Sequence, residues 1–326
     1  MSDTFRPSAR KPAGSGSSVP GICFGTSALG NMPVTYGYEV GEERARETIR
    51  SVLDGPCPFI DTSRNYGSGR SEQRIGEVIR ERGGLPDGVV ISTKLDRDMD
   101  TNRFDAARAR RSLEDSLEAL GLDRVQIAHL HDPEYAASIE EVTRPDGALA
   151  ELRRMKEEGL ADAIGLAAGK VDVMMPILRN FDFDVMITHS RFTLVNRNAG
   201  AMIDYACSKG IAVFNAAPYS GGVLAKGAQT YPRYVYQQAT RETLAPIRQV
   251  EAVCAQHGVP VGAAALQFSL RDPRIASTIC GVSKAQRVRQ TLDWATVNIP
   301  EQAWAALLAL PFSVEDPERS REYRPD

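Results

Sequence analysis

CPFIDTSRNYG, Cys57–Gly67, runs a short apolar stretch straight into an acid, Asp61, and then a phenol, Tyr66. The apolar part is too short for a helix and reads as a buried strand, which places both polar groups at a strand exit. The same arrangement recurs downstream. VVISTKL puts Lys94 at the end of a β-branched run, and VQIAHLHDP puts His131 at the end of the next. An acid, a phenol, an ammonium and an imidazole on three consecutive strand exits are the parts of a proton-relay site, and the C-terminal ends of its strands are where an α/β barrel carries its chemistry.

Outward from these three runs, short apolar strands alternate with helical periodicity from about residue 21 to residue 293. The strands are GICFGTSAL (Gly21–Leu29), PFIDT, GVVISTK, VQIAHLH, ADAIGLA, FDVMITH, IAVFNAA and IASTICG. Ala45, Ile49, Val52 and Leu53, and later Leu113, Leu117 and Leu120, repeat at helical spacing and mark the faces that pack on a sheet. Gly159 and Gly210 stand where helices stop before the next strand. The pattern predicts a closed (β/α)8 TIM barrel. It predicts one domain over 20–326, preceded by a flexible Ser-, Gly- and Pro-rich lead-in over 1–19. PYSGGVLAKGAQTYPRYVYQQ, from Pro218 to Gln238, is too long for an ordinary connection and reads as a functional loop over the strand exits, spanning about 218–240. The tail from Pro311 has no periodicity and either folds across the pocket or hangs free.

Composition narrows the class. With 42% hydrophobic and 25% charged residues the chain can bury a large core, and a net charge of -3 gives no field for nucleic acid or an anionic membrane, so a small molecule is the expected partner. Five scattered cysteines, an odd number, argue against a disulfide framework and for a reduced, cytoplasmic protein. No run approaches the roughly 20 apolar residues of a membrane span. A monomer is favoured over a small homo-oligomer.

Charge assigns the roles. Tyr66 gives a proton when a carbonyl is reduced and takes one when an alcohol is oxidised; Lys94 favours the phenolate, lowering the phenol from its usual pKa of about 10. Asp61 pairs with Lys94 and fixes it, and His131 hydrogen-bonds the substrate oxygen. His129 shares the His131 face of its strand and reads as a packing residue behind it. Singly, Asp61 would pass for a helix cap and Lys94 or Tyr66 for surface residues; four in order on successive exits favour catalysis. A metal-dependent hydrolase built on the HxH pair and His189 lacks ligands at the AIGLAAG and TICGVSK exits, so no metal is expected. A Schiff-base lyase on Lys94 leaves the neighbouring acid and phenol without a role.

Together with the strand order, DTSRNYG, STKL and LHDP resemble the catalytic signatures of the aldo-keto reductase family, and the likeness runs from CFGTSALGNM to ICGVSKAQRVRQTL. The resemblance implies a barrel that binds an extended nicotinamide dinucleotide, NADP or NAD, without a Rossmann domain. It implies that Asp61, Tyr66, Lys94 and His131 form the catalytic set. Ser283, Lys284 and Arg287, with Arg289, open a helix after the eighth strand and form an anion site there. Arg287 matches the family's arginine for the adenosine-side phosphate of NADP, while Gly281 replaces a second basic residue. On the nicotinamide side Ala167 and Ala168 stand where the family often has a Ser-Asn pair, His189 where it has glutamine, and Ala216 where an aromatic stacks. His189, Asn215, Tyr219 and Arg191 are the candidate replacements, and Gly221, Gly222 and Leu224 of GGVLA suit the pyrophosphate. Within the family the chain looks most like the bacterial sugar dehydrogenase branch, the D-threo-aldose, L-fucose and L-galactose 1-dehydrogenases, with pyridoxal 4-dehydrogenase nearby. That implies oxidation of C1 to a lactone, with Arg64, Asn65, Arg191 and Tyr219 as sugar-binding groups. The alternative is a general NADPH-dependent aldehyde or ketone reductase.

Overall fold

Alternate residues of each strand enter two different apolar layers, and this period of two organises the whole molecule. The computed structural model describes residues 19–319, so the expected lead-in lies almost wholly outside the described residues. The strands are β1 (Ile22–Gly25), β2 (Phe59–Asp61), β3 (Val90–Leu95), β4 (Val125–His131), β5 (Ala161–Ala168), β6 (Val185–His189), β7 (Ala212–Ala216), β8 (Arg233–Tyr234), β9 (Gln237–Gln238) and β10 (Ile275–Gly281). Eight of them close into a parallel barrel in the order β1-β10-β7-β6-β5-β4-β3-β2, while β8 and β9 form a small separate hairpin. Each of the eight expected strand runs overlaps one barrel strand, with β3 and β5 each running one residue further. Cys23, Phe59, Val90, Ile127, Val185, Ile187, Phe214 and Ile279 fill the interior. Their sequence neighbours, such as Phe24, Ile60, Ile91, Ala128, Met186 and Val213, face the surrounding helices.

The helices supply matching stripes. In Glu42–Leu53 the buried positions include Ala45, Ile49, Val52 and Leu53, and in Ala106–Leu120 they include Leu113, Leu117 and Leu120, as the spacing predicts. The second of these starts where the Asp105 side chain accepts the Arg108 N–H and stops at Gly121, which takes a left-handed conformation. Each fully buried leucine or isoleucine contributes about 1.5–3 kcal/mol relative to exposure. One close approach depends on a missing side chain. Gly76, in the helix Arg70–Glu81, would with a Cβ lie 2.0 Å from the Ala119 carbonyl oxygen of the neighbouring helix.

Two irregular segments take up defined positions over the strand exits. The stretch after Pro218 holds a short helix, Val223–Lys226, and the β8–β9 hairpin, tied back to the N-terminal side where the Tyr231 hydroxyl donates to the Tyr36 carbonyl (3.0 Å). The tail residues up to 319 fold against the β6 side. Ser313 pairs with Asn196, and Asp316 and Glu318 bind Arg191. No helix among the described residues is long and apolar enough to cross a membrane, and all five cysteines are free.

Candidate active site

Strand parity aims the chemistry inward. On β3, Val90, Ser92 and Lys94 share the interior face; Asp61 ends β2 and His131 ends β4, and the turn after β2 carries Tyr66 back over Lys94. The turn is possible because Gly67 adopts φ +61° and packs on Gly30, whose carbonyl oxygen would lie 1.9 Å from any Cβ added at Gly67. The Lys94 ammonium donates to Asp61 Oδ2 at 2.7 Å, to the Thr62 carbonyl at 2.6 Å and to the Tyr66 hydroxyl at 3.1 Å. Asp61 and Lys94 are both buried. Behind them Ser92 donates its hydroxyl to Asp61 Oδ1 (3.1 Å) and lies 3.0 Å from His129 Nε2. Since the single serine proton goes to the carboxylate, His129 must donate from Nε2, leaving Nδ1 bare. Burial first, then Lys94 and His131, hold the His129 imidazole well below its ordinary pKa, so it is neutral. His129 is thus a buried prop for Asp61, in the supporting position expected of it.

The phenol departs from expectation. Burial pushes the Tyr66 hydroxyl well above its ordinary pKa, and the Asp61 carboxylate pushes it further, with smaller contributions from Tyr36, Asp132 and Asp96. The expected lowering by Lys94, whose ammonium also donates to Asp61 and the Thr62 carbonyl, does not prevail against burial and the Asp61 charge. Tyr66 therefore stands as a neutral proton donor at the mouth of the barrel.

His131 has a partner that the sequence reading missed. Its Nδ1 lies 2.5 Å from Asp96 Oδ1, and Asp96 Oδ2 accepts from the Ser63 hydroxyl (2.5 Å) and the Asn65 N–H (2.8 Å). Burial alone would raise Asp96, yet the His131 charge and these hydrogen bonds bring it below its ordinary pKa. Parity carried the signal, because Asp96 follows Val90, Ser92 and Lys94 at alternate positions.

One cavity over the strand exits is lined by Asp61, Asn65, Tyr66, Lys94, His131, His189, Tyr219, Gly221, Gly222, Ser283 and Arg287 of the expected residues. The others lie elsewhere. Asn215 sits between the inward-facing Phe214 and Ala216, so its amide points to the helix layer, where Nδ2 donates to the Phe192 carbonyl (2.8 Å) and Ser269 Oγ (2.9 Å). Leu224 is fully buried in the outer core. Arg64 pairs with Glu72 (3.3 Å), and Lys284 is exposed at the start of the helix Ala285–Thr296. Arg191, nearly fully buried, is held by Asp316 (2.6 Å) and Glu318 (2.8 Å), and is committed to the tail rather than to a substrate. His189 also faces Glu318, at 3.3 Å.

The cavity is electrically two-ended. At one end Asp132, Glu134 and Glu318 line it. Burial, then Asp132, raises the Glu134 carboxyl to about 7, and its Oε2 is buried without a partner while Oε1 accepts from the Gly169 and Lys170 N–H groups. At the other end are Arg287, Ser283 and Lys226, the last a residue the sequence reading passed over. The Lys226 ammonium lies 3.8 Å from the Tyr231 ring centroid and 4.4 Å from that of Tyr38. Burial, then Arg287 and Arg233, lower it to about 8. Cations gathered beside glycine backbone fit the diphosphate of a dinucleotide. Among the described residues no cluster of three or more His, Cys, Asp or Glu suited to a metal ion occurs.

Residues 21–310 match the sequence model of the Aldo/keto reductase family. The chain is 28% identical over 325 residues to D-threo-aldose 1-dehydrogenase of a Pseudomonas species, covering 90% of this chain and 95% of that one. It is 28% identical over 284 residues to L-galactose dehydrogenase of Arabidopsis thaliana, covering 86% of each. It is 25% identical over 334 residues to pyridoxal 4-dehydrogenase of Microbacterium luteolum, covering 90% and 94%. Among solved structures, an aldo-keto reductase from Bacillus halodurans in its holo form superposes with a TM-score of 0.75 at 17% identity, covering 96% of this chain and 99% of that one. Glycerol dehydrogenase of Gluconobacter oxydans gives 0.71 at 19%, covering 93% and 94%. At these identities the structural likeness speaks to the fold alone.

Proposed function

This chain belongs to the aldo/keto reductase family, and on that footing we propose that it oxidises the C1 hydroxyl of an aldose to a lactone, with NADP or NAD as the hydride acceptor. It is an NAD(P)-dependent oxidoreductase acting on CH–OH or C=O groups. The observation that carries the reaction type is the Lys94 ammonium bridging Asp61 and the Tyr66 hydroxyl inside one cavity. The likeness to D-threo-aldose 1-dehydrogenase over 90% of the chain supports an aldose as substrate.

When bound, the nicotinamide supplies the site with hydride chemistry. The chain's own residues handle the proton and the fit. Tyr66, as phenolate, takes the proton of the C1 hydroxyl during oxidation and returns it, as phenol, during reduction. Lys94 orients the phenol oxygen and Asp61 holds Lys94. His131 hydrogen-bonds the reacting oxygen. Asp132, Glu134 and Glu318 accept hydrogen bonds from neutral sugar hydroxyls and repel anionic substrates. Arg287, Ser283 and Lys226 would hold the phosphates, and with Gly281 uncharged beside them both coenzymes are proposed to serve.

One observation favours the reverse direction. A phenol held above its ordinary pKa rests protonated at neutrality, the form that reduction of aldehydes or ketones by NADPH requires, and this supports the second reading. Steady-state assays of L-fucose, D-arabinose, L-galactose and pyridoxal with NAD+ and NADP+, beside simple aldehydes with NADPH, separate the two. Sugar oxidation with the highest kcat/KM is expected. Aldehyde reduction without any sugar oxidation would replace the first reading by the second.

A further inference from the structure

Asp96 belongs to neither the Lys94–Tyr66 pair nor the cofactor end, yet it is buried and both oxygens of its carboxylate lead to the site, while its backbone is tied to the helix Ala106–Leu120. Oδ1 meets His131 Nδ1 at 2.5 Å, Oδ2 accepts from Ser63 Oγ at 2.5 Å and from the Asn65 N–H at 2.8 Å, and its own N–H donates to Ser112 Oγ at 2.9 Å. Ser63 and Asn65 belong to the turn that carries Tyr66, so one carboxylate ties the exits of β2, β3 and β4 together. We propose that Asp96 is a positioning residue for His131: it takes the Nδ1–H, turns Nε2 to the cavity, and keeps the ring as an imidazolium that donates to the substrate oxygen. This rests on the oxidoreductase reading above and deepens it.

The geometry decides the tautomer. An ionised carboxylate only accepts, so Nδ1 carries a proton whatever the charge of the ring. Nε2 is then an acceptor on neutral His131 and a donor on the cation. The groups facing the ring set that balance. Asp132 lies 3.6 Å from Nε2 and Asp96 lies against Nδ1. From β3 comes Lys94, from β4 the neutral His129, and from the turn after β2 the Ser63 hydroxyl (3.3 Å from Nδ1) and the Tyr66 ring, edge-on at 6.1 Å and 85°. Burial alone would lower His131, but Asp132 and Asp96 outweigh it and Lys94, and the imidazole ends above its ordinary pKa. Substrate oxygen thus meets two donors: Tyr66, which exchanges a proton with it, and His131, which stabilises negative charge on it without giving its proton up.

The test is read first without substrate. In protein labelled with ¹⁵N-histidine, with His131→Asn used only to assign the spectrum, the His131 midpoint is expected above the ordinary value of about 6.5. In Asp96→Asn it is expected to fall by about one unit or more, and Asp96→Glu should restore part of the shift. With substrate, Asp96→Asn is expected to lower kcat/KM by about 10- to 100-fold and to shift its pH profile in step with the His131 midpoint, with cofactor Kd unchanged. A midpoint that does not move between wild type and Asp96→Asn overturns the proposal, as does a lower kcat/KM with an unmoved pH profile. Should Asp96→Asn not fold, Asp96→Glu carries the comparison: a His131 midpoint displaced from wild type supports the proposal, and one that does not move overturns it. A wild-type enzyme inactive on every sugar and aldehyde would end the functional reading instead, while the titration still reports on the Asp96–His131 pair.

Discussion

Tyr66 and Lys94 are 3.1 Å apart, and the phenol is nevertheless held above its ordinary pKa because burial and Asp61 act against the ammonium. The sign carries through to rate. In reduction the protonated form is the active one, so the limb of the profile that belongs to Tyr66 is expected only above about 10, separate from any earlier limb set by His131. In oxidation the phenolate is required, so kcat is expected to climb with pH without a plateau below that value; a plateau near neutrality, in stopped-flow or steady-state profiles, contradicts this balance. The four groups of the relay were legible because each ends or follows an apolar run. Asp96 was legible in principle from strand parity, but a carboxylate next to Arg97 and Asp98 reads as surface charge until its partner on β4 is in view. Asn215 was misplaced for the same reason in reverse. It lies near a strand exit, and one position of parity turns its amide away from the cavity.

The two helices Arg70–Glu81 and Ala106–Leu120 touch through Gly76, and this contact sets the layer outside β2 and β3. Alanine in a helix interior normally gains about 1 kcal/mol over glycine. Here the added methyl meets backbone, which cannot rotate aside, so Gly76→Ala is expected to lose about 1–3 kcal/mol instead. Urea denaturation measures it, and a gain in midpoint would mean that the helices part freely. Strand order and helix stripes were legible because periods of two and 3.6 residues are properties of local sequence. The interior of the long loop was not. Val223–Lys226 and the β8–β9 hairpin are too short for a period and are held by remote partners, such as the Arg233 guanidinium donating to the Thr35 carbonyl (3.0 Å). The tail was equally silent, since nothing near Asp316 or Glu318 announces a buried arginine more than a hundred residues earlier.

At the scale of the whole molecule, barrel closure between β1 and β10, with Ile22 beside Thr278 and Gly25 beside Gly281, brings the first and last strand exits together. The cavity consequently runs from carboxylates near β4 and the tail to cations on the long loop and the helix after β10. That polarity predicts how binding divides. Lys226→Met is expected to weaken cofactor by about tenfold or more, the order of a charge-assisted hydrogen bond, while leaving the KM for a neutral sugar nearly unchanged. With the free ammonium titrating at about 8, wild-type cofactor affinity should also decline above that pH and the variant's should not. Fluorescence titration of NADPH reads both, and equal affinities in the two proteins would remove Lys226 from the phosphate site.

The account turns on the Tyr66 hydroxyl as the group that exchanges the proton, and Tyr66→Phe tests this most directly because it deletes one oxygen and leaves the ring. With the best substrate and saturating coenzyme, kcat is expected to fall by about 10²- to 10⁴-fold while coenzyme Kd stays the same. Full turnover by Tyr66→Phe would contradict it.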